Sequence, residues 1–310
     1  MSIAQRQAWG ETVSRLAGLD DRVIVLDGDL ATSTRADIVA AEHPECFIEV
    51  GIAEQNMVGM AAGLTTVGYR PWLSSFGVFF TQRSLDQIRM LVSQTKAPVR
   101  LAAAYTGLLN GSSGKTHQDI EDLAVMRAMP GMTVLAPADA AEVRAATLWA
   151  AEHDGPVYLR LARDAVADVF ADDVGFVVGA PRLLASGDDI VLVSTGVQTS
   201  RTARAAELLS GAGIAATHIH LPTLKPLDVE ALLALIGEAE TIVTVEEHSV
   251  LGGLGGLVAE ALAERGSGAR LHRIGLEDRW SESAPNDFLL DKYGLSAERV
   301  AERVRGILGR

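Results

Sequence analysis

Glu54 heads the residues that could do chemistry. It stands in FIEVGIAEQNMVGMAAGL (residues 47–64), where a short apolar run turns at Gly51 and a helix follows with Glu54 in its first turn. A lone carboxylate there would serve the helix N-terminus, whose dipole and unpaired N–H groups favour negative charge. Gly59 and Gly63 behind it cost helix propensity and, with Ala61 and Ala62, let another backbone come close. A carboxylate entering so crowded a place is aimed at more than its own helix. His117, in KTHQ (115–118), follows a loop rich in Gly, Ser and Asn; an imidazole there makes a structural hydrogen bond or relays a proton. Phe76 and Phe79 lie three apart, which on a helix puts them on one face, for the core or for stacking a flat ligand. Asp29 and Ser33 sit in DGDLATS (27–33), either turn formers or ligand contacts at a strand end. Arg163, in LRLAR (159–163), offers a planar fork suited to an oxyanion, whereas Arg160 belongs with its strand and salt bridges.

The elements that must position these residues alternate. Apolar runs at 22–26, 47–50, 69–75, 99–105, 132–136 and 157–162 read as strands, with helices at 3–16, 54–64, 78–93, 119–129 and 138–152 between them. This is an α/β chain with mostly parallel sheets flanked by helices. The pattern loosens from about 164 to 188. It resumes with strands at 190–195, 214–221, 241–247 and 271–276 and helices at 200–210, 229–236 and after Gly256, so two α/β domains follow one another. Near the end, Glu247, His248 and GGLGG (252–256) form a turn into a helix, which serves structure or holds a phosphate but lacks the spacing of a dinucleotide fingerprint or a P-loop.

With 310 residues there is chain enough for two full cores. The formal charge of −13 argues against nonspecific nucleic-acid binding, which needs clustered Lys and Arg. One cysteine, Cys46, permits no intrachain disulfide and reads as a packed residue. The N-terminus has no signal-peptide core and no run of 18 apolar residues offers a span, so a cytoplasmic protein without a membrane partner is expected.

The string GIAEQNMVGMAAGL closely resembles the pyrimidine-binding domain of the transketolase family. The register continues through FGVFFTQRSLDQIR, GKTHQDIEDLAVMRAMPGMTVLAP and PVYLRLARD, and TVEEHSVLGGLGG resembles that family's C-terminal domain. The resemblance runs over nearly the whole chain. It implies a pyrimidine-binding domain over 1–170, a linker over 171–188 and a C-terminal domain over 189–310. It also implies thiamine diphosphate as cofactor. The family counterpart of Glu54 hydrogen-bonds a pyrimidine nitrogen and favours the imino tautomer that takes the thiazolium proton. By the same resemblance Phe79 stacks on the aminopyrimidine with Phe76 beside it, Asp29 lies near the thiazolium, and His117 serves the carbonyl oxygen. Ser33 and Arg163 reach the substrate's distal end. Gln82 stands where many members have tyrosine, so that cofactor contact is altered.

Other departures concern the substrate. A phosphate-binding histidine of the family becomes Tyr105, a hydroxyl-reading aspartate becomes Ser113, and a further arginine near the N-terminus aligns with Gln7, next to Arg6. Two lost cations would remove several charge-assisted bonds, each worth about 1.5–3 kcal/mol. The expectation is an acceptor that is less charged, larger or carrier-bound.

The family's diphosphate domain, with a Gly-Asp-Gly and a trailing Asn pair for Mg²⁺, has no counterpart here. The resemblance therefore implies the C-terminal subunit of a split transketolase. A separate N-terminal subunit would ligate Mg²⁺, no metal ligand would come from this chain, and the pair would form an α2β2 heterotetramer. The implied reaction moves a two-carbon ketol unit from a ketose or 2-oxo donor to an aldehyde or specialised acceptor. Two alternatives stay open: a subunit related to deoxyxylulose-phosphate synthases or 2-oxo-acid dehydrogenase beta subunits, and a non-catalytic assembly subunit.

Overall fold

The computed structural model describes residues 2–172 and 174–310. Its first sheet is built from β1 (Val23–Asp27), β2 (Phe47–Glu49), β3 (Arg70–Phe76), β4 (Arg100–Ala104), β5 (Thr133–Leu135) and β6 (Val157–Arg160). The second holds β7 (Arg182–Ala185), β8 (Ile190–Ser194), β9 (Ala216–His220), β11 (Thr241–Ser249) and β12 (Arg270–Leu276). One short strand, β10 (Thr223–Lys225), leaves the second half of the chain and pairs antiparallel with β5. The strand orders are β10-β5-β6-β4-β3-β1-β2 and β12-β11-β8-β9-β7. Apart from β10 and β7, which pairs antiparallel with β9, all pairings are parallel.

Parallel strands covered by helices on both faces must be apolar throughout, not alternating. β1, β4 and β8 obey: all five residues of each are buried. The first sheet packs two layers of core. On one side Trp9 of helix Gln5–Ala17 meets Trp72 of β3 at 6.3 Å, and on the other Leu26, Met57, Leu73 and Phe80 are buried. Cys46 is buried and free.

Where the fold departs from the periodicity, the reasons are local. Residues 78–93 are not one α-helix. They wind as π-type turns over Phe79–Arg83 and Ile88–Ser93 around a short helix, Leu85–Gln87. Widened turns of this kind are rare and cluster at functional sites. β7 and β10 carry no alternation long enough to read, and the first lies inside the expected linker. Two terminal helices, Asn286–Lys292 and Ala297–Leu308, went unread, although Ser296 caps the second by accepting the Arg299 N–H and Val300, Ala301 and Val304 bury one stripe of it. Among the described residues no helix is long and apolar enough to cross a membrane.

The strand order places the chemistry. β2 lies on one side of β1 and β3 on the other, so the order reverses at β1. Open α/β sheets receive ligands at such a reversal, beyond the carboxyl ends of the strands. Asp27, Phe76 and Arg160 close β1, β3 and β6, and Tyr105 follows the last residue of β4.

Candidate active site

The β1 end is held by carboxylates the sequence reading had not singled out. Asp27 accepts the Leu30 N–H at 2.6 Å and the Thr34 hydroxyl at 2.9 Å, and burial pushes its carboxyl up to about 6. Glu49 Oε1 accepts the N–H groups of both Asp29 and Gly51 at 2.8 Å, tying the two turns together. Asp29 sits at φ 65°, a left-handed conformation that costs energy for a residue with a Cβ. Its side chain makes no hydrogen bond among the described residues.

Glu54 opens the helix Glu54–Thr66 and is 1% exposed. It does not cap that helix. Both carboxylate oxygens accept from Arg83 Nη1, at 2.9 and 2.7 Å. The Arg83 guanidinium lies over the Phe79 ring, 4.1 Å from its centroid. The wide turn over Phe79–Arg83 closes on the bond from the Ser84 N–H to the Phe79 carbonyl, which carries Arg83 back above the phenylalanine that starts it.

Phe76 ends a strand and Phe79 starts the next turn, so they do not share a helix face as their spacing suggested. They stack nonetheless, with centroids 5.7 Å apart and planes 20° apart. Tyr105 also stacks on Phe76, at 3.9 Å and 17°. His117 meets Phe76 and Phe79 edge-on at 5.9 and 5.6 Å. Its Nδ1 pairs with the Thr116 hydroxyl at 2.9 Å.

Tyr105, at φ 61°, turns its ring between two arginines: Arg6 at 5.6 Å and Arg163 at 5.5 Å. Pairing with the Tyr105 side chain pushes the Arg163 guanidinium up. Arg6 Nε donates to the Arg163 carbonyl and Arg6 Nη1 to that of Ser33, so one side chain joins the segment after β6 to the short helix Ala31–Thr34 after β1, which carry the two expected substrate residues. Here the alignment-based expectation fails. Gln7 points away and bonds Glu11 on its own helix, while Arg6 enters the site. The site keeps a second cation, and the inference of a weakly charged acceptor loses half its basis.

The loop 106–118 that carries His117 is fastened from the second half of the chain. Glu247 Oε1 accepts the N–H groups of Leu108 and Leu109 at 2.6 and 3.2 Å, and its Oε2 pairs with Arg201. Asn286 Oδ1 accepts the Gly111 N–H, and the Ser283 hydroxyl donates to the Ser112 carbonyl. Beneath the loop Arg160 donates to both oxygens of Asp122, at 2.8 and 3.1 Å, and to the Glu247 carbonyl at 3.0 Å. The Tyr158 hydroxyl completes that carboxylate at 2.9 Å. Burial, and then Asp122 beside it, pushes the Asp119 carboxyl well above its ordinary range. The glycine-rich turn at 252–256 resolves to a structural role. Glu246 accepts the Leu254 and Gly255 N–H groups at 2.7 and 2.8 Å, using the amides a phosphate would need.

Glu54, Phe76, Phe79, His117, Tyr105, Arg163 and Ser33 are thus joined through direct packing or through Arg83 and Arg6. Three expected residues are not, Asp29 among them: only its backbone N–H is held, by Glu49. Gln82 turns outward to Glu121 at 3.1 Å, and Ser113 is an exposed residue of the turn Gly111–Ser113 with no side-chain hydrogen bond among the described residues. Glu49 and Arg83 were missed and Arg6 was named only as the neighbour of Gln7, because an arginine on a surface-spaced helix or after a phenylalanine pair, or a carboxylate ending a short strand, signals nothing until the chain folds. Among the described residues no three His, Cys, Asp or Glu side chains are placed to hold a metal ion.

Residues 1–168 match the family described as transketolase, pyrimidine binding domain, and residues 179–300 that described as transketolase, C-terminal domain. A Methanocaldococcus jannaschii protein named as a transketolase C-terminal section is 39% identical over 301 residues, covering 96% of this chain and 94% of the relative. A 6-deoxy-6-sulfo-D-fructose transketolase subunit of a Clostridium species is 35% identical, covering 98% and 94%. A solved structure titled "Split gene transketolase, inactive beta4 tetramer" is 41% identical with TM-score 0.89, covering 99% and 98%.

Proposed function

The chain belongs to the transketolase family, and on that premise we propose that it is the C-terminal subunit of a split, thiamine-diphosphate-dependent transketolase. With a separate N-terminal subunit it moves a two-carbon ketol unit from a ketose or 2-oxo donor to an aldehyde acceptor, in the cytoplasm. One observation carries the proposal. A buried carboxylate, Glu54, faces an aromatic ring, Phe79, across a slot that holds a flat nitrogen-bearing group, the Arg83 guanidinium. An aminopyrimidine has the same flatness and nitrogen donors, so the residues fit the cofactor's ring.

Bound there, thiamine diphosphate would supply a carbon nucleophile able to break and remake the bond beside a ketone. The roles left to this chain follow from chemistry. Glu54 shares a proton with the pyrimidine nitrogen from a water-poor pocket. Phe79, backed by Phe76, holds the ring flat, a stacking worth about 0.5–1.5 kcal/mol beyond burial. His117, edge-on to both rings, passes a proton at the substrate's carbonyl oxygen. Asp29, at the turn after β1, would be the residue to meet the thiazolium, and Gln82, turned outward, would touch the cofactor least. Arg6 and Arg163 hold an anionic substrate end near Ser33 and Tyr105; Ser113, exposed on the loop that carries His117, is left to the substrate as it enters. Two guanidinium groups around one tyrosine suit a phosphate or sulfonate. The name of the sulfofructose-acting relative supports an anionic end.

Mg²⁺ and the diphosphate belong to the partner in this reading, in an α2β2 assembly. The neighbour titled as an inactive beta-only tetramer supports a need for that partner. Calorimetric titration of thiamine diphosphate with Mg²⁺ into the lone chain and into the chain mixed with its partner tests this. Binding only in the mixture is expected; tight binding to the lone chain refutes it. Hydroxypyruvate accepted as donor where pyruvate is not separates the transketolase reading from a deoxyxylulose-phosphate-synthase-like one.

A further inference from the structure

Arg83 occupies the slot that the proposed function assigns to the cofactor's pyrimidine ring. Its nitrogen Nη1 takes both Glu54 oxygens, and its plane covers Phe79 at 4.1 Å. Those are the two recognition elements of the slot, a buried acceptor and an aromatic face, and one side chain satisfies both. Guanidinium groups stack on aromatic faces and pair with carboxylates for the same reasons as a protonatable aminopyrimidine: flatness, delocalised positive charge and in-plane N–H donors. The two occupants exclude each other.

The Arg83 side chain is nevertheless free to leave. It is 42% exposed, while the carboxylate it covers is 0% exposed. The neighbouring Gln82 already points outward to Glu121. A Glu54 side chain without any partner would be a buried, unpaired charge, which a fold tolerates badly. Arg83 supplies the partner until another arrives.

We propose that Arg83 is a built-in competitor for the aminopyrimidine slot, one that keeps Glu54 paired before the cofactor binds and swings out to solvent when it does. This rests on the proposed cofactor site. The apparent dissociation constant rises as the open fraction falls, so a slot filled about nine-tenths of the time weakens cofactor binding about tenfold.

The test is calorimetric titration of thiamine diphosphate with Mg²⁺ into the reconstituted two-subunit complex. Wild type is compared with Arg83→Met, Glu54→Gln and the double variant, each checked for folding by circular dichroism. Arg83→Met is expected to bind about tenfold tighter than wild type, and Glu54→Gln to bind more weakly. In the Glu54→Gln background Arg83→Met should bring little further gain, because the arginine has lost the carboxylate that retains it. On the lone chain, saturation-transfer NMR with thiamine, which lacks the diphosphate anchor, should give a stronger signal for Arg83→Met than for wild type. Equal or weaker cofactor binding by a folded Arg83→Met overturns the proposal. A full gain persisting in the Glu54→Gln background also overturns it, since the effect would then be repulsion between charges. If the double variant binds the cofactor as tightly as Arg83→Met does, the cofactor site itself has been misplaced, and the proposal falls with it.

Discussion

Replacing Arg160 with methionine tests whether the charges under the site act as a structural clasp. Arg160 is 4% and Asp122 0% exposed at the side chain, so solvent screens neither. Wild-type Asp122 receives two guanidinium bonds and the Tyr158 hydroxyl, and the Arg160→Met variant leaves it the hydroxyl as its one hydrogen bond, with the His248 imidazole 4.0 Å away. Removing one member of a buried pair costs about 3–5 kcal/mol, because the other charge stays desolvated without compensation. The Glu247 carbonyl on β11 loses a donor as well, which weakens the attachment of the second sheet's domain. In Arg160→Met/Asp122→Leu the stranded charge is gone. What remains are the orphaned Tyr158 hydroxyl, at about 1–3 kcal/mol, and the Glu247 carbonyl that both variants deprive of its donor. The assay is equilibrium urea unfolding followed by circular dichroism and by tryptophan fluorescence, with coincident transitions required before free energies are compared. A single variant less than about 1 kcal/mol destabilised, or a double variant worse than the single, refutes the argument.

Three further outcomes are expected. Glu54→Gln in the assembled enzyme should fold normally and lose about 10²–10⁴-fold in turnover, the usual contribution of a positioned proton-sharing group, read by steady-state kinetics. Glu247→Gln should speed amide hydrogen exchange at Leu108 and Leu109 by at least about tenfold, since each bond to the carboxylate is worth about 1.5–3 kcal/mol; unchanged exchange would free the loop from this anchor. His218, buried against Ser194, is held at about 3, below its ordinary 6.5, by burial and by His220. Its folded-state pKa is depressed, so the unfolded chain takes up the proton first and stability falls as pH drops from 6.5 towards 3. Between pH 6.5 and about pH 5 the loss is about 2 kcal/mol, and His218→Gln should flatten that limb in denaturation curves taken across the range.

Most of the fold could be read because parallel strands announce themselves as short apolar runs. Every such run from 22–26 to 271–276 is a strand, with ends shifted by a residue or two. β10 could not be read: three residues, TLK, gain their strand character only from β5 beside them. The site was legible where a local motif fixes geometry, as with Glu54 at a helix start and His117 after its loop. It was illegible where one long side chain crosses between elements. Arg6 and Gln7 are equally plausible in the string, and only the helix's rotation against Ser33 and Arg163 selects Arg6. Arg83 depended on a widened turn that no periodicity signals.

The position of β10 bears on how the protein is made. Among the described residues, strand β5 has its outer edge covered only by 223–225, which leave the ribosome about 90 residues after Leu135. At 5–20 residues per second that delay is roughly 5–18 s, during which the nascent first half carries an unpaired edge strand. A gene cut at residues 171–188 would make the delay permanent. Such a fragment should gather into soluble aggregates or demand a chaperone, and supplying Pro222–Pro226 as a peptide in trans would be the remedy to try. The natural place to divide this polypeptide is therefore not the stretch where its periodicity loosens.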